Sequence, residues 1–438
     1  MPNSITEVVL ILLWTALITW YLGRFKWSSK GVFSSHEIQA LFILKVIVGV
    51  GLAVFYEIYY HDRRSTDAFR FFDDAIIIYN QLGSDPLLYL KIVFGLDMEN
   101  PKVIEALSGM NNWYKQHSHG VFNDNQTIIR FNALLLPISQ GYFHVHTVVA
   151  SFLSFTGFIA LISAFTRWVK IPKVLALIII LFPQVVFWSS GVLKESLLFF
   201  AMGWFFFFLT KIYFDKWSKG IYIGLVLTAF GMFLIKNYII ICMIPGVTAI
   251  LVSKLIPSFK RIRFAVALII LQIFGVVILD YFMGSHRAHS IFQKQKDFIK
   301  EAIIADAGSF FETFVLEKNW VSIIVNSPTA FLNTLTKPSV LAAKNIITLM
   351  ASVENIFIMG IWIFPIFWFK KPKNSDKMLL VFCLGFFILL YTLIGLTTPV
   401  AGALIRYKIP ALPFLFVGIY LLTDYSKLKE RFIQLLSK

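Results

Sequence analysis

The stretch SLLFFAMGWFFFFLTKIY, residues 196–213, is apolar on every face a helix could present, and Lys211 near its end is the sole charge. A helix in a soluble fold keeps a polar face toward water, whereas a helix in lipid needs about 20 apolar residues all round. The stretch therefore reads as a bilayer-spanning helix. Similar runs recur at 5–22, 39–60, 145–166, 174–190, 220–236, 238–253, 264–282, 346–369, 378–396 and 409–423. Together they predict an all-α polytopic membrane protein of about eleven spans. The runs do not alternate with period two, which excludes a membrane β-barrel.

Composition points the same way: of 438 residues 58% are hydrophobic and 15% charged, a balance that needs lipid as solvent. The net charge of +16 would suggest nucleic acid in a soluble protein, but in a membrane protein Lys and Arg collect in cytoplasmic loops. Here they do so in alternate connections: Arg24, Lys26 and Lys30; Arg167, Lys170 and Lys173; Lys211, Lys216 and Lys219; Lys254, Lys260, Arg261 and Arg263; Lys370, Lys371, Lys373 and Lys377; Lys427, Lys429 and Arg431. With these inside, the amino terminus lies outside and the carboxyl terminus inside, as an odd number of spans demands. The first basic cluster follows its apolar run, so residues 1–22 read as a retained helix and not a signal peptide.

This topology gives a single transmembrane domain over 1–438 with two long external regions, 61–130 and 283–345, the places large enough for an external site. In the first, SDPLLYLKIVFGL at 84–96 is too short to span and reads as an interfacial or re-entrant helix. Cys242 and Cys383 fall inside apolar runs and predict neither a disulfide nor a metal cluster.

Candidate chemistry falls in the external regions and at the outer helix ends. Asp67, Asp73 and Asp74 follow the second span in HDRRSTDAFRFFDDA. On a helix, Asp67, Phe71, Asp74 and Ile78 share one face, so two carboxylates stand beside aromatic surface, as a general base and its orienting partner would, or as ligands of a divalent cation. Asp73 lies one step off that face. In PQVVFWSSGVLKES, Lys194 and Glu195 sit at a helix boundary, either as an interfacial ion pair or as a cation aimed at a phosphate. Arg406, Tyr407 and Lys408 precede Pro410 at the outer mouth of the last span, where basic residues are usually depleted, and Lys337 precedes Pro338 in the second external region. Arginine there suits bidentate recognition of phosphate. Three histidine pairs, 117/119, 144/146 and 286/289, lack an accompanying acidic motif, and no metal site is assigned to them. Lys45, inside the second run, and Lys236, near the end of the sixth, are the nearest candidates for the midplane charges a transporter would carry.

The layout resembles the GT-C superfamily of integral membrane glycosyltransferases, in particular its bacterial protein mannosyltransferase-like and lipopolysaccharide sugar transferase-like branch. The similarity lies in the Asp early in the first external loop (DAFRFFDDA), in FWSSGVLKE, and in Arg406-Tyr407-Lys408-Ile409-Pro410, which is similar to an RYR-x-P sequence before the last span. One departure is that the Asp-bearing loop follows the second span, where typical members place it after the first. That calls for an added amino-terminal helix or for a different family. The resemblance implies transfer of a sugar from a polyprenyl-phosphate donor to a glycan, lipid or protein acceptor at the outer face of a bacterial inner membrane. It also implies Asp67 as base with Asp74 or Asp73 orienting, and Lys194, Arg406, Lys337 and Lys408 around the donor phosphate, with Glu195 and Tyr407 beside them. No cofactor is required by the sequence. A polysaccharide polymerase or ligase using undecaprenyl-linked substrates is the alternative, and a lipid or solute transporter a second.

Overall fold

The computed structural model describes residues 4–24, 31–60, 63, 66–114, 123–215, 218–256, 261–283, 287–304, 308–343, 345–374, 376–427 and 430. Among them the chain is all-α, without a β-sheet; the isolated bridges Phe310 to Val400 and Phe369 to Thr423 are its strand-like pairings. Eight helices are long and apolar enough to cross a membrane: Ile5–Arg24, Ser35–Tyr59, Phe143–Trp168, Lys194–Phe214, Lys219–Ser253, Ile346–Phe367, Lys377–Thr397 and Ala401–Leu422. The chain is thus a multi-pass integral membrane protein.

Four of the expected spans take another form. The run 174–190 is divided into Lys173–Leu181 and Pro183–Trp188, because proline removes a helical N–H donor and its ring clashes with the preceding turn. The runs 220–236 and 238–253 share the helix Lys219–Ser253, interrupted at Lys236, whose φ of −153° and ψ of 88° are not helical. The run 264–282 lies in the helix Arg261–Met283, which is outside the eight.

The chain divides into two compact units, residues 1–167 with 171–176 and 180–237, and residues 168–170 with 177–179 and 238–438. In the first, Phe143–Trp168 is central, while Ile5–Arg24 exposes Leu12, Leu13 and Leu17, as a helix bordering lipid does. Gly157 and Gly203 let the helices Phe143–Trp168 and Lys194–Phe214 touch backbone to backbone: a Cβ on Gly203 would stand 1.9 Å from the Gly157 carbonyl oxygen. Small residues at such crossings are how membrane helices gain van der Waals contact without a hydrophobic driving force. In the second unit Gly395 does the same against Ala330, and the Thr334 hydroxyl donates to the Tyr391 carbonyl at 2.7 Å.

Most of the described part of 61–130, the region expected to be external, is helical: Asp67–Ser84, Pro86–Phe94, Pro101–Leu107 and the start of Asn125–Ser139. The Asp85 carboxylate accepts from Leu88 N–H at 3.0 Å, and Pro86 follows at the first helical position, where its missing donor costs nothing. The polar pairs of the first unit respect the alternation of charge. Glu37 meets Lys173 and Arg167 meets Asp215, all at basic-cluster ends. Glu7 accepts from His144 N–H, Lys194 meets Asp124 and Lys236 meets Glu195, all at the opposite ends.

Candidate functional site

In the first unit, the helix Asp67–Ser84 buries the face that spacing predicts: Phe71, Asp74 and Ile78 are each 3% exposed or less, and Asp67 stands at the rim with about a third of its side chain exposed (32%). Phe69 and Phe72 anchor this helix against Phe143, with ring centroids 4.7 and 5.3 Å away. Asp67 pairs with Arg70 at 2.6 Å. Asp73, off the buried face, takes a forked hydrogen bond from exposed Arg63, at 3.0 Å in the ion pair. Asp74 accepts from the N–H groups of Asn111 and Asn112 at 3.2 and 2.9 Å, so its carboxylate holds the turn at 111–113. Burial pushes the Asp74 carboxyl above its ordinary range, those two amide donors pull it part of the way back, and neighbouring Asp73 adds to the rise.

That turn leads to a cluster around Lys194. The Asn112 carbonyl accepts from Asn125 Nδ2 at 3.1 Å. Lys194 Nζ donates to Asn125 Oδ1 at 2.7 Å and to Asp124 Oδ2 at 2.8 Å, and it lies 5.0 Å above the ring of Phe71. Lys194 opens the helix Lys194–Phe214, where a cation opposes the helix dipole. Asp124, whose side chain does not cap its own helix, supplies the opposing charge. Glu195, favourably placed in the same first turn, meets Lys236 at 2.8 Å, with both side chains buried. Thr127 donates to the Leu234 carbonyl at 2.8 Å, satisfying an acceptor beside the break in the helix at Lys236. Lys45, also fully buried, donates to the hydroxyls of Ser189 and Ser190 at 2.7 and 3.1 Å.

Next to this cluster is a cavity of about 870 Å³, polar at Asn123, Gln126, Thr127 and Arg130 and otherwise mostly apolar. Arg130 donates from Nε to the Ile92 carbonyl at 3.0 Å and stacks 5.0 Å above Trp113. Asp124, Asn125 and Arg130 were not singled out by sequence reasoning. The signal for the first two is the polar triplet Asn123-Asp124-Asn125 directly ahead of an apolar helix.

The remaining candidates belong to the second unit. Lys408 is 1% exposed; its ammonium donates to Asn355 Oδ1 at 2.5 Å and to the Thr334 carbonyl at 3.4 Å. Asn355 in turn donates to the carbonyls of Lys337 and Pro338 at 2.9 and 3.1 Å. Lys337 is half-buried and lines a small cavity of about 100 Å³ with Asn345 and Thr348. Arg406 is part-exposed in the last turn of Ala401–Lys408, and Tyr407 packs 6.0 Å from Tyr238 and 6.1 Å from Phe298.

Among the described residues no group of three or more His, Cys, Asp or Glu is arranged to hold a metal ion. His146 is buried between Asn132 and Ser139, at 2.8 and 2.7 Å, and His289 stacks on Phe292. His117, His119 and His286 lie outside the described residues. No known protein family, curated protein or solved structure matches this chain.

Proposed function

We propose that the chain is a membrane glycosyltransferase of GT-C type that moves a sugar from a polyprenyl-phosphate donor to an acceptor hydroxyl at the non-cytoplasmic face of a bacterial inner membrane. The reading includes the topology of about eleven crossings and a role in making cell-surface glycans or glycoconjugates, whether on glycan, lipid or protein. The observation that carries it is Lys194, held against its own helix dipole by Asp124 and Asn125 over Phe71, one helical turn along the same face from part-exposed Asp67.

In this reading the acceptor oxygen forms a bond to the anomeric carbon while the bond from that carbon to the donor's phosphate oxygen breaks. The electron pair leaves on the phosphate, where the Lys194 ammonium offsets the developing charge. Asp67 takes the proton of the acceptor hydroxyl, and Arg70 orients the carboxylate. Asp74 shapes the site through the turn it holds. Arg406, Lys337 and Lys408 take no step in this scheme.

The test is sugar transfer by the purified protein in nanodiscs. Asp67→Asn keeps the shape but cannot take a proton, and turnover should fall about a hundredfold or more with the folded fraction unchanged. Retention of more than about a tenth of the activity excludes Asp67 as the base. A polymerase or ligase working through external arginines and histidines would give that second result, and a transporter would show no sugar transfer even in the unaltered protein.

A further inference from the structure

The small cavity of the second unit has walls that are fastened independently of one another. Residues 309–311 are tied to the start of the last span: Ala401 N–H donates to the Ser309 carbonyl at 2.9 Å, Phe311 N–H to the Pro399 carbonyl at 3.1 Å, and Gly402 N–H to the Ser309 hydroxyl at 3.4 Å. Asn355 pins the carbonyls of Lys337 and Pro338 and is itself held by the Lys408 ammonium. Asn345 and Thr348 cap the helix Ile346–Gly360 by exchanging side-chain and backbone hydrogen bonds. Lys408 stays sealed, and through Asn355 it fixes the backbone that carries Lys337.

Two groups of the wall are available to a ligand. The Ser309 oxygen accepts from Gly402, which leaves its hydroxyl proton to donate. Lys337 is the charged residue of the lining; no acidic residue lines the cavity with it, and no carboxylate among the described residues pairs with it. The helix Ala401–Lys408 begins at this wall, so its positive dipole end adds to the potential.

Size and charge narrow the ligand. The volume of about 100 Å³ is the room of about three waters, enough for a carboxylate and the carbon that bears it and too little for a sugar ring. Phe311 and Pro338 give that carbon an apolar wall. A doubly charged phosphate would meet one cation and one hydroxyl, and burying the second charge without a partner is costly. The balance therefore suits a monoanion. Gly308 and Ala342 line the cavity and are exposed, so it opens to the outside between them.

We propose that this cavity is a carboxylate site, with one oxygen on the Lys337 ammonium and the other on the Ser309 hydroxyl. The acid is a small free one or the carboxyl group of an acidic sugar whose ring stays outside the opening. The proposal does not depend on the sugar-transfer reading.

The experiment measures binding of acetate, glucuronate, the methyl ester of glucuronate and inorganic phosphate to the full-length protein in nanodiscs, by ligand-observed NMR. Acetate should bind, and Lys337→Gln should weaken it about tenfold or more, the loss of one charge-assisted contact. Ala342→Phe places a ring at the opening and keeps the charge, and it should weaken acetate by at least as much. Glucuronate binding as tightly as acetate, with its ester not binding, upholds the site and assigns the acid to a sugar. Acetate binding alone upholds it with a free small acid as ligand. The proposal is overturned if acetate does not bind, or if its affinity is unchanged in both variants. Phosphate binding more tightly than acetate, or the ester as tightly as glucuronate, overturns it as well.

Discussion

Two clusters of the molecule solve the same problem, a lysine ammonium away from bulk water, in different ways. In the first unit Lys194 is 13% exposed and meets a carboxylate that is itself 22% exposed, next to a large cavity. In the second unit Lys408 is turned inward, and a neutral amide and a backbone carbonyl take its protons. A cation kept by a part-exposed carboxylate beside a cavity can exchange that partner for a phosphate without leaving the charge bare. A cation sealed by an amide cannot do so without rearranging the helices around it. The first arrangement is what a ligand site needs, and the second is a means of fastening helices together.

The largest effect should come where a buried charge faces a buried charge. Glu195→Gln leaves the Lys236 ammonium opposite a neutral amide, and unfolding in detergent should show a loss of about 3–5 kcal/mol. A loss below about 1 kcal/mol would show that water reaches this pair and that the first unit is wetter than its burial implies.

The second unit should respond less. Asn355→Ala removes the amide that holds Lys408 and leaves its ammonium under-satisfied, costing about 1.5–3 kcal/mol. Adding Lys408→Met should recover most of that, because the charge that needed a partner is gone. If the double variant is no more stable than Asn355→Ala, Lys408 is doing more than fastening helices.

The contrast between the units was only partly visible in the sequence. The face shared by Asp67, Phe71, Asp74 and Ile78 follows from spacing alone and is the buried face of its helix, because local periodicity survives whatever packs against it. Lys194 was legible as a charge at a helix boundary, but its partner Asp124 lies 70 positions away, and Lys45 finds Ser189 across 144. Such pairings depend on which helices become neighbours, and one sequence does not encode that in any local pattern. Lys408 looked outward by position, but it is buried against Asn355, which stands next to Glu354 in the run 346–369. Pro183 is a break signal inside 174–190, but the continuous apolar run outweighs it and the segment reads as one span. The join at Lys236 carries neither proline nor glycine, so length alone suggested two separate spans there.

A smaller effect sharpens the picture of Asp74 as a structural carboxylate. Its folded-state value is raised above the ordinary 3.8 by burial, so the folded protein holds this proton more tightly than the unfolded chain does. Stability is therefore unaffected by Asp74 at lower pH and declines as pH rises through the window above 3.8. Asp74→Asn removes that titration. The stability of the native protein relative to Asp74→Asn, followed by chemical unfolding between about pH 3 and pH 7, should fall with rising pH. A difference that grows with pH would mean that the amide donors of Asn111 and Asn112 outweigh burial.

The central claim is that the open cluster of the first unit is the ligand site and the sealed cluster of the second is not. Its most direct test is the affinity of the purified protein for undecaprenyl phosphate in nanodiscs, compared between Lys194→Gln and Asn355→Ala at equal folded fraction. The account predicts that Lys194→Gln weakens binding about tenfold or more, the loss of one charge-assisted contact to phosphate, while Asn355→Ala leaves it within about twofold. Unchanged affinity in Lys194→Gln, with a clear loss in Asn355→Ala, would contradict it.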